Sequence, residues 1–249
     1  EGSIVKGCTF TNLSDLEYVK VASREATDAL PFFDPEKYVS KQITTEGAGG
    51  IETDIDVVYV LVGQESGLSA QVIAAERGFE TRPPNLNTFF IRYLNTTGSD
   101  KTFRSGERIV IDKYQYKAGT VEPVSGTESG VDEITVTTRD PNPTGKSFGV
   151  SNAPGIVFQR GNFVFADSQI LVVSKYTNSP TDVAVGFVIQ ESLVTYLQDE
   201  SLYDNANGYK NENAPGADRL KLVPILTRKT FAEADADATF FSLVRYENG

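Results

Sequence analysis

The sequence predicts a mainly β protein, built as an antiparallel β-sandwich or as meander-type sheets, with a few short helices in loops. Three observations predict it. Apolar residues come in runs of strand length, turn-forming residues close most of those runs, and segments with helical spacing are few and short. The 249 residues, 39% of them hydrophobic and 10% aromatic, suffice to bury a core.

The elements follow in order. Residues 55–62 (IDVVYVLV) are apolar almost throughout, as in a strand buried on both faces. Residues 88–94 (TFFIRYL) form a second strand, closed by Asn95-Thr96-Thr97-Gly98. Residues 108–112 place Ile109 and Ile111 on one face of a third. Ile156-Val157-Phe158 and Phe163-Val164-Phe165, joined through Arg160-Gly161-Asn162, read as a hairpin. A turn at Asp167-Ser168 then leads into a strand at 170–173, giving a short meander. Residues 182–189 put Val183, Val185, Phe187 and Ile189 on one face. Residues 220–227 follow, where Pro224 lacks a ladder donor and implies an edge or a bulge. Residues 240–246 are the last strand. Leu68, Val72, Ala75 and Phe79 have roughly helical spacing, with Gly67 and Gly78 limiting the segment, and residues 25–29 and 199–205 suit single helical turns.

The domain reading is an N-terminal β region at 1–117, a loop or inserted arm at 118–155, and a C-terminal β region at 156–249. The two β regions are expected to form one compact unit. Residues 118–155 are rich in Gly, Pro, Ser and Thr, with one candidate strand at 134–138. The chain opens Glu-Gly-Ser, contains no Met and ends Tyr-Glu-Asn-Gly, so it is expected to be a segment of a longer polypeptide.

Charge and residue inventory narrow the function. A net charge of −11 opposes nucleic acid, which needs clustered Lys and Arg, and opposes anionic membrane surfaces. No apolar run has the length of a membrane helix. The single cysteine, Cys8, forms no internal disulfide, and its apolar neighbours Ile4, Val5 and Phe10 suit a buried structural thiol better than a nucleophile. Histidine is absent, which removes Ser-His-Asp and Cys-His catalysis and His-containing zinc sites. Gly145-Lys146-Ser147 resembles the end of a phosphate loop, but Asp140 stands where the first glycine is required. The carboxylate groups Glu233, Asp235, Asp237 and Glu52, Asp54, Asp56 lack EF-hand spacing and read as solvated surface acids. Two Asn-x-Ser/Thr patterns, at Asn12 and Asn95, matter only in a secreted eukaryotic protein. The expectation is therefore a non-enzymatic module with no catalytic residues, cofactor or metal.

The most distinctive stretch is 185–230. It runs strand, polar crossing, strand, with the crossing reading Asp199-Glu200-Ser201-Leu202-Tyr203-Asp204-Asn205-Ala206-Asn207-Gly208 and then Ala214-Pro215-Gly216-Ala217-Asp218-Arg219-Leu220. Such Asn density suits turns and side-chain-to-backbone bonds, and Pro215-Gly216 suits a tight turn. Asn205, Asn213, Pro215, Gly216, Asp218 and Arg219 are accordingly expected to form a structural latch.

This stretch resembles a family of domains of unknown function found in tail, baseplate and fibre-associated proteins of bacteriophages, including contractile-tailed phages and cyanophages. The Glu1-Gly2-Ser3-Ile4-Val5 start and the Phe158-Gln159-Arg160-Gly161-Asn162-Phe163-Val164 meander resemble that family too. The resemblance implies a virion structural protein in the tail, at the baseplate or a fibre attachment, assembled in the bacterial cytoplasm. Its partners would be other tail or baseplate proteins and further copies of itself, with no nucleic acid and no membrane insertion. The alternatives are a receptor- or glycan-binding fibre module, a surface-layer or adhesin segment, and a polysaccharide-degrading tailspike fragment. For the glycan reading, the aromatics of interest are Tyr114, Tyr116, Tyr203 and Tyr209, expected in loops.

Overall fold

A computed structural model describes residues 2–22, 33–46, 52–78, 86–95, 99–120, 123–137, 140, 142–203, 214 and 216–248. The chain is mainly β, and its sheets are antiparallel. The strands of the first half are β1 (Gly2–Gly7), β2 (Phe10–Leu13), β3 (Glu17–Val21), β4 (Lys41–Glu46), β5 (Glu52–Gly63), β6 (Ser69–Glu76), β7 (Asn87–Tyr93), β8 (Arg108–Lys117) and β9 (Pro123–Thr135). The second half holds β10 (Thr144–Lys146), β11 (Phe148–Asn152), β12 (Gly155–Gln159), β13 (Asn162–Ala166), β14 (Gln169–Ser174), β15 (Val183–Val194), β16 (Arg219–Thr230) and β17 (Phe240–Tyr246). Helix α1 (Phe231–Ala236) and the 3-10 turns Pro35–Tyr38 and Glu200–Leu202 complete the described elements. The short turn expected within 199–205 is thus present as Glu200–Leu202, while the one expected at 25–29 lies outside the described residues.

The chain divides into two compact units, where the sequence suggested one. The first comprises Glu1–Thr11, Val150–Val173 and Pro180–Gly249; the second comprises Asn12–Gly149 and Ser174–Ser179. Neither matches a simple N- and C-terminal split, because each unit gathers strands that are distant in sequence.

The second unit is built on one large sheet, in the order β10-β3-β7-β6-β5-β8-β9, with β4 also paired to β5. The twelve-residue β5 runs along β8 from Ile55 to Gly63. Its other edge is shared, with β4 along 52–57 and β6 along 60–62. One face of this sheet makes the core: Val19, Val21, Leu61, Ala70, Val72, Phe89, Ile91, Ile109, Ile111, Ile134 and Val136 are buried together with Phe33, Leu68 and Phe103. Alternation along each strand places those residues on one side.

Two expectations fail in this unit. Residues 118–155 are not a protruding arm in their described part: β9 pairs β8, Ile134 and Val136 join the core, and β10 pairs β3. The segment reads as a loop because β9 is an edge strand with little to bury, so Ser, Gly and Glu fill its outward positions. Residues 69–76 form β6 rather than a helix. Between Val72 and Ala74 the register against β7 shifts, and the extra residue of this bulge breaks the two-residue alternation so that it mimics helical spacing.

The first unit holds two three-stranded sheets, in the orders β1-β12-β13 and β16-β15-β17. A third sheet has the order β14-β11-β2. The expected β12–β13 hairpin is present, with Gln159 opposite Asn162 and a two-residue turn between them. Both turn residues have positive φ, Arg160 at 54° and Gly161 at 81°, the geometry that matches the twist of a tight hairpin. Pro224 is on an edge strand, as its missing donor required. The carbonyl of Pro224 accepts from Gln169 Nε2 at 2.8 Å, and the Leu226 amide donates to Gln169 Oε1 at 2.9 Å. Pro224 therefore turns its backbone groups away from β15, and its absent N–H leaves that ladder intact.

Candidate interaction surfaces

No long apolar helix able to cross a membrane and no metal-sized group of His, Cys, Asp or Glu is present among the described residues. The residues of interest are instead on exposed strands, and three surfaces stand out.

The first is the outer face of the β12–β13 hairpin. Alternation turns Val157, Val164 and Ala166 inward, where all three are buried. It turns Ile156, Phe158, Phe163 and Phe165 outward, and Phe163 and Phe165 are 72% and 62% exposed. Phe158 and Phe163 are cross-strand partners with ring centroids 5.1 Å apart. On the neighbouring β1, the register shift between Ile4 and Lys6 places the exposed Val5 in a bulge.

The second is the distal half of the β15–β16 hairpin. Gln190, Glu191, Ser192 and Leu193 are exposed in succession, as are Arg219, Leu220 and Lys221 on the partner strand. Exposure of consecutive residues means that both faces of this ribbon meet solvent. Leu193 and Leu220 face each other across it, both more than half exposed. Next along the chain, Leu197 is 77% exposed, and the Tyr196 and Tyr203 rings lie 5.4 Å apart. The Arg160 guanidinium meets Glu191 at 2.6 Å near the root of the ribbon.

The expected latch belongs to this region. Asn205, Asn213 and Pro215 lie outside the described residues. Gly216 is half-buried, Asp218 is exposed, and Arg219 is the exposed first residue of β16, opposite Val194. The residue that caps the turn here is Asp199, whose carboxylate accepts from the Ser201 amide at 3.0 Å. Bonds to Ser201, with Arg219 contributing charge, hold the Asp199 carboxyl below its ordinary range.

The third surface lies in the second unit. Tyr114 and Tyr116 are on β8, not in a loop, and their rings are parallel to within 3° at 6.2 Å between centroids. Asp56 stands opposite Tyr116, Val58 opposite Tyr114, and Gln42 opposite Asp56 on the next strand. Tyr203 is exposed at the edge of the described crossing, and Tyr209 lies outside the described residues.

The remaining residues singled out in the sequence have structural partners. Cys8 is buried, and burial raises its thiol above the ordinary value. Glu233 caps α1 reciprocally with Thr230. Asp235 pairs with Arg245, and Asp237 accepts from Lys229 and Thr239. Asp54 accepts from Thr44 Oγ1 at 2.7 Å and Asp56 from Gln42 Nε2 at 3.0 Å. Gly145 and Lys146 are on β10, and Lys146 pairs with Glu17, so this segment has no phosphate-loop geometry.

Two structural pins escaped the sequence reading. The buried Glu107 carboxylate takes four donors: Oε1 from the Glu65 amide, the Ser66 amide and Ser66 Oγ, and Oε2 from the Arg104 amide. Gln159, also buried, donates to the Thr239 carbonyl at 2.6 Å. Nothing in their local sequence distinguishes either from a surface Glu or Gln.

A family model described as a domain of unknown function (DUF4815) matches residues 142–249. The match covers the β12–β13 face and the β15–β16 ribbon; Tyr114 and Tyr116 fall outside it. No curated protein and no solved structure matches the chain.

Proposed function

We propose that the chain is a non-enzymatic structural component of a bacteriophage tail, at the baseplate or a fibre attachment, and that it works through protein–protein contacts. The observation that carries the assembly reading is the outward β12–β13 face. Two phenylalanines more than 60% exposed sit side by side with Ile156 and Phe158. Burying a phenylalanine stabilises by about 1.5–3 kcal/mol, so a contiguous apolar face left in water suits a surface that a partner covers. The β15–β16 ribbon supports the same reading, because a two-stranded hairpin exposed on both faces is marginal alone. The tail assignment rests on the resemblance of residues 185–230 to phage tail domains. Its partners would be other tail proteins or further copies of this chain.

The test is a charge substitution on the apolar face. Phe163→Asp with Phe165→Asp, at two exposed positions of an edge strand, is expected to leave the melting temperature of the purified chain nearly unchanged. Incorporation into tail particles, read by mass spectrometry of purified virions, is expected to fall to background. Incorporation at the unmodified level would refute the proposal.

A further inference from the structure

The β4–β5–β8 sheet carries a surface of different chemistry from the apolar hairpin. Tyr114 and Tyr116, two residues apart on one strand, project from the same face. Their rings are parallel at 6.2 Å, and both side chains are half-buried, so each is held by its surroundings while part of it remains open.

Val58 stands opposite Tyr114 on the β5 ladder and Pro123 opposite Tyr116 on β9, and three carboxylates on the same face supply acceptors. Asp112 precedes Tyr114 on the same face of β8, Asp56 faces Tyr116 across the ladder, and Asp54 follows on the same face of β5. Each carboxylate is fixed by a neighbour. Asp112 Oδ1 accepts from Ser129 Oγ at 2.9 Å and from the Gly130 amide at 2.8 Å. Asp56 accepts from Gln42 Nε2 and from the Gly119 amide, both at 3.0 Å, and Asp54 accepts from Thr44 Oγ1 at 2.7 Å. A carboxylate offers about four lone-pair sites, so these bonds orient the groups without saturating them.

The lysines of β8 are turned away. Lys113 and Lys117 alternate with the tyrosines onto the opposite face, and Lys113 there meets Glu128 at 3.2 Å.

We propose that this face, Tyr114 and Tyr116 flanked by Asp54, Asp56 and Asp112, is a binding site for a neutral glycan chain. Sugar rings present C–H faces that stack on aromatic rings and hydroxyl donors that meet oriented acceptors. The face supplies both. Three carboxylates on the ring side, in a chain of net charge −11, repel phosphate backbones and acidic polysaccharides. A proline-rich peptide also docks on aromatic faces, but it has almost no N–H groups to give three carboxylates. Burial, with Asp112 and Tyr116 adding to it, raises the Tyr114 phenol, which keeps its proton as a donor. The inference does not rest on the assembly reading: its residues lie in the other unit and outside the family match.

The experiment uses the whole chain. Neutral hexasaccharides of glucose, mannose and N-acetylglucosamine, with polygalacturonate and decaproline as comparisons, are tested by calorimetry and saturation-transfer NMR. At least one neutral hexasaccharide is expected to bind at millimolar concentration, with saturation transferred from tyrosine ring protons assigned through Y114F and Y116F. Tyr114→Ala and Tyr116→Ala are each expected to weaken binding by roughly fivefold to tenfold, as loss of one aromatic contact implies, while the Phe variants retain most of it. The Phe variants and the ring-proton signals of the unmodified protein carry the test should an Ala variant unfold. Absence of binding by every neutral hexasaccharide, preferential binding of decaproline or polygalacturonate, or binding that survives both Ala substitutions would each overturn the proposal.

Discussion

Glu107 offers the sharpest test of how the second unit is held together. Its side chain is 2% exposed, and its carboxylate ties the Glu65-Ser66 turn after β5 to the Arg104 loop before β8. Three of the bonds are short, 2.7 Å from the Ser66 amide, 2.6 Å from Ser66 Oγ and 2.7 Å from the Arg104 amide, and the fourth, from the Glu65 amide, is 3.1 Å. Glu107→Gln replaces one oxygen by an NH2 group that can only donate. The least costly orientation keeps the oxygen at the Oε1 position, with three donors, and sets the NH2 against the Arg104 amide. That loses one charge-assisted bond, leaves the Arg104 N–H facing another donor and weakens the other three bonds. With about 1–3 kcal/mol for a buried unpaired group, and a further contribution from the lost charge, the cost is about 2–4 kcal/mol. At about 2–4 °C per kcal/mol for a chain of this size, the melting temperature falls by about 4–16 °C. Gly63→Ala strikes the same carboxylate, because a Cβ there would lie 2.3 Å from Glu107 Oε1. The two substitutions are therefore expected to be non-additive in a double-mutant cycle. Thermal unfolding followed by circular dichroism checks both. A Gln variant that melts within about 1 °C of the parent, or strict additivity with Gly63→Ala, would refute the account.

Two further outcomes follow. Gln169→Ala removes both bonds that cover the outer edge of β16, at about 0.5–1.5 kcal/mol each, and should speed hydrogen exchange at the Leu226 amide; unchanged exchange there would count against the bridge. Asp237, Glu233, Asp140 and Asp199 have carboxyls held below the ordinary range, by Lys229, Thr230, Lys20 and Ser201 respectively. Depressed folded-state values contribute stability that is complete above the unfolded values near about pH 4 and is lost as pH falls below them. The melting temperature should therefore drop on the acid side, and Asp237→Asn should flatten that drop; an unaltered acid limb would exclude Asp237 from it.

Strands with one buried face were legible in the sequence, because alternation is imposed by water. Ile109 and Ile111 on β8, and Val157 with Val164 and Ala166 on the β12–β13 hairpin, are examples. The failures have specific causes. At β6 the bulge after Val72 breaks the alternation, so spacing alone pointed to a helix. At β9 an edge position removes the need for apolar residues, and composition alone pointed to a loop. The division into two units was invisible because it joins residues 1–11 to residues beyond 150, a tertiary choice that no local pattern records. Tyr114 and Tyr116 stand out in the sequence singly, yet their pairing on one sheet face depends on β8 continuing past Asp112, where apolar alternation gives out.

The protein's two kinds of open surface obey different physics, and this bears on what each unit can tolerate. Phe163, Phe165, Leu193 and Leu220 gain only when something removes them from water, so their retention on solvent-facing strands is a standing cost to the isolated chain. Covered by the proposed partner, the same residues would supply apolar contact area. Polar substitutions there are expected to raise the solubility of the chain while weakening the proposed assembly. The tyrosine face is different: its rings are half-covered, and its carboxylates already bond to Ser129, Gly130, Gln42 and Thr44. It is stable in water without an occupant, as a surface meant for reversible contact must be. A permanent contact can depend on exposed phenylalanine; a transient one needs groups that remain satisfied when the ligand leaves. Under the two proposals, that difference would assign assembly to the unit containing the β12–β13 hairpin and recognition to the unit containing β8.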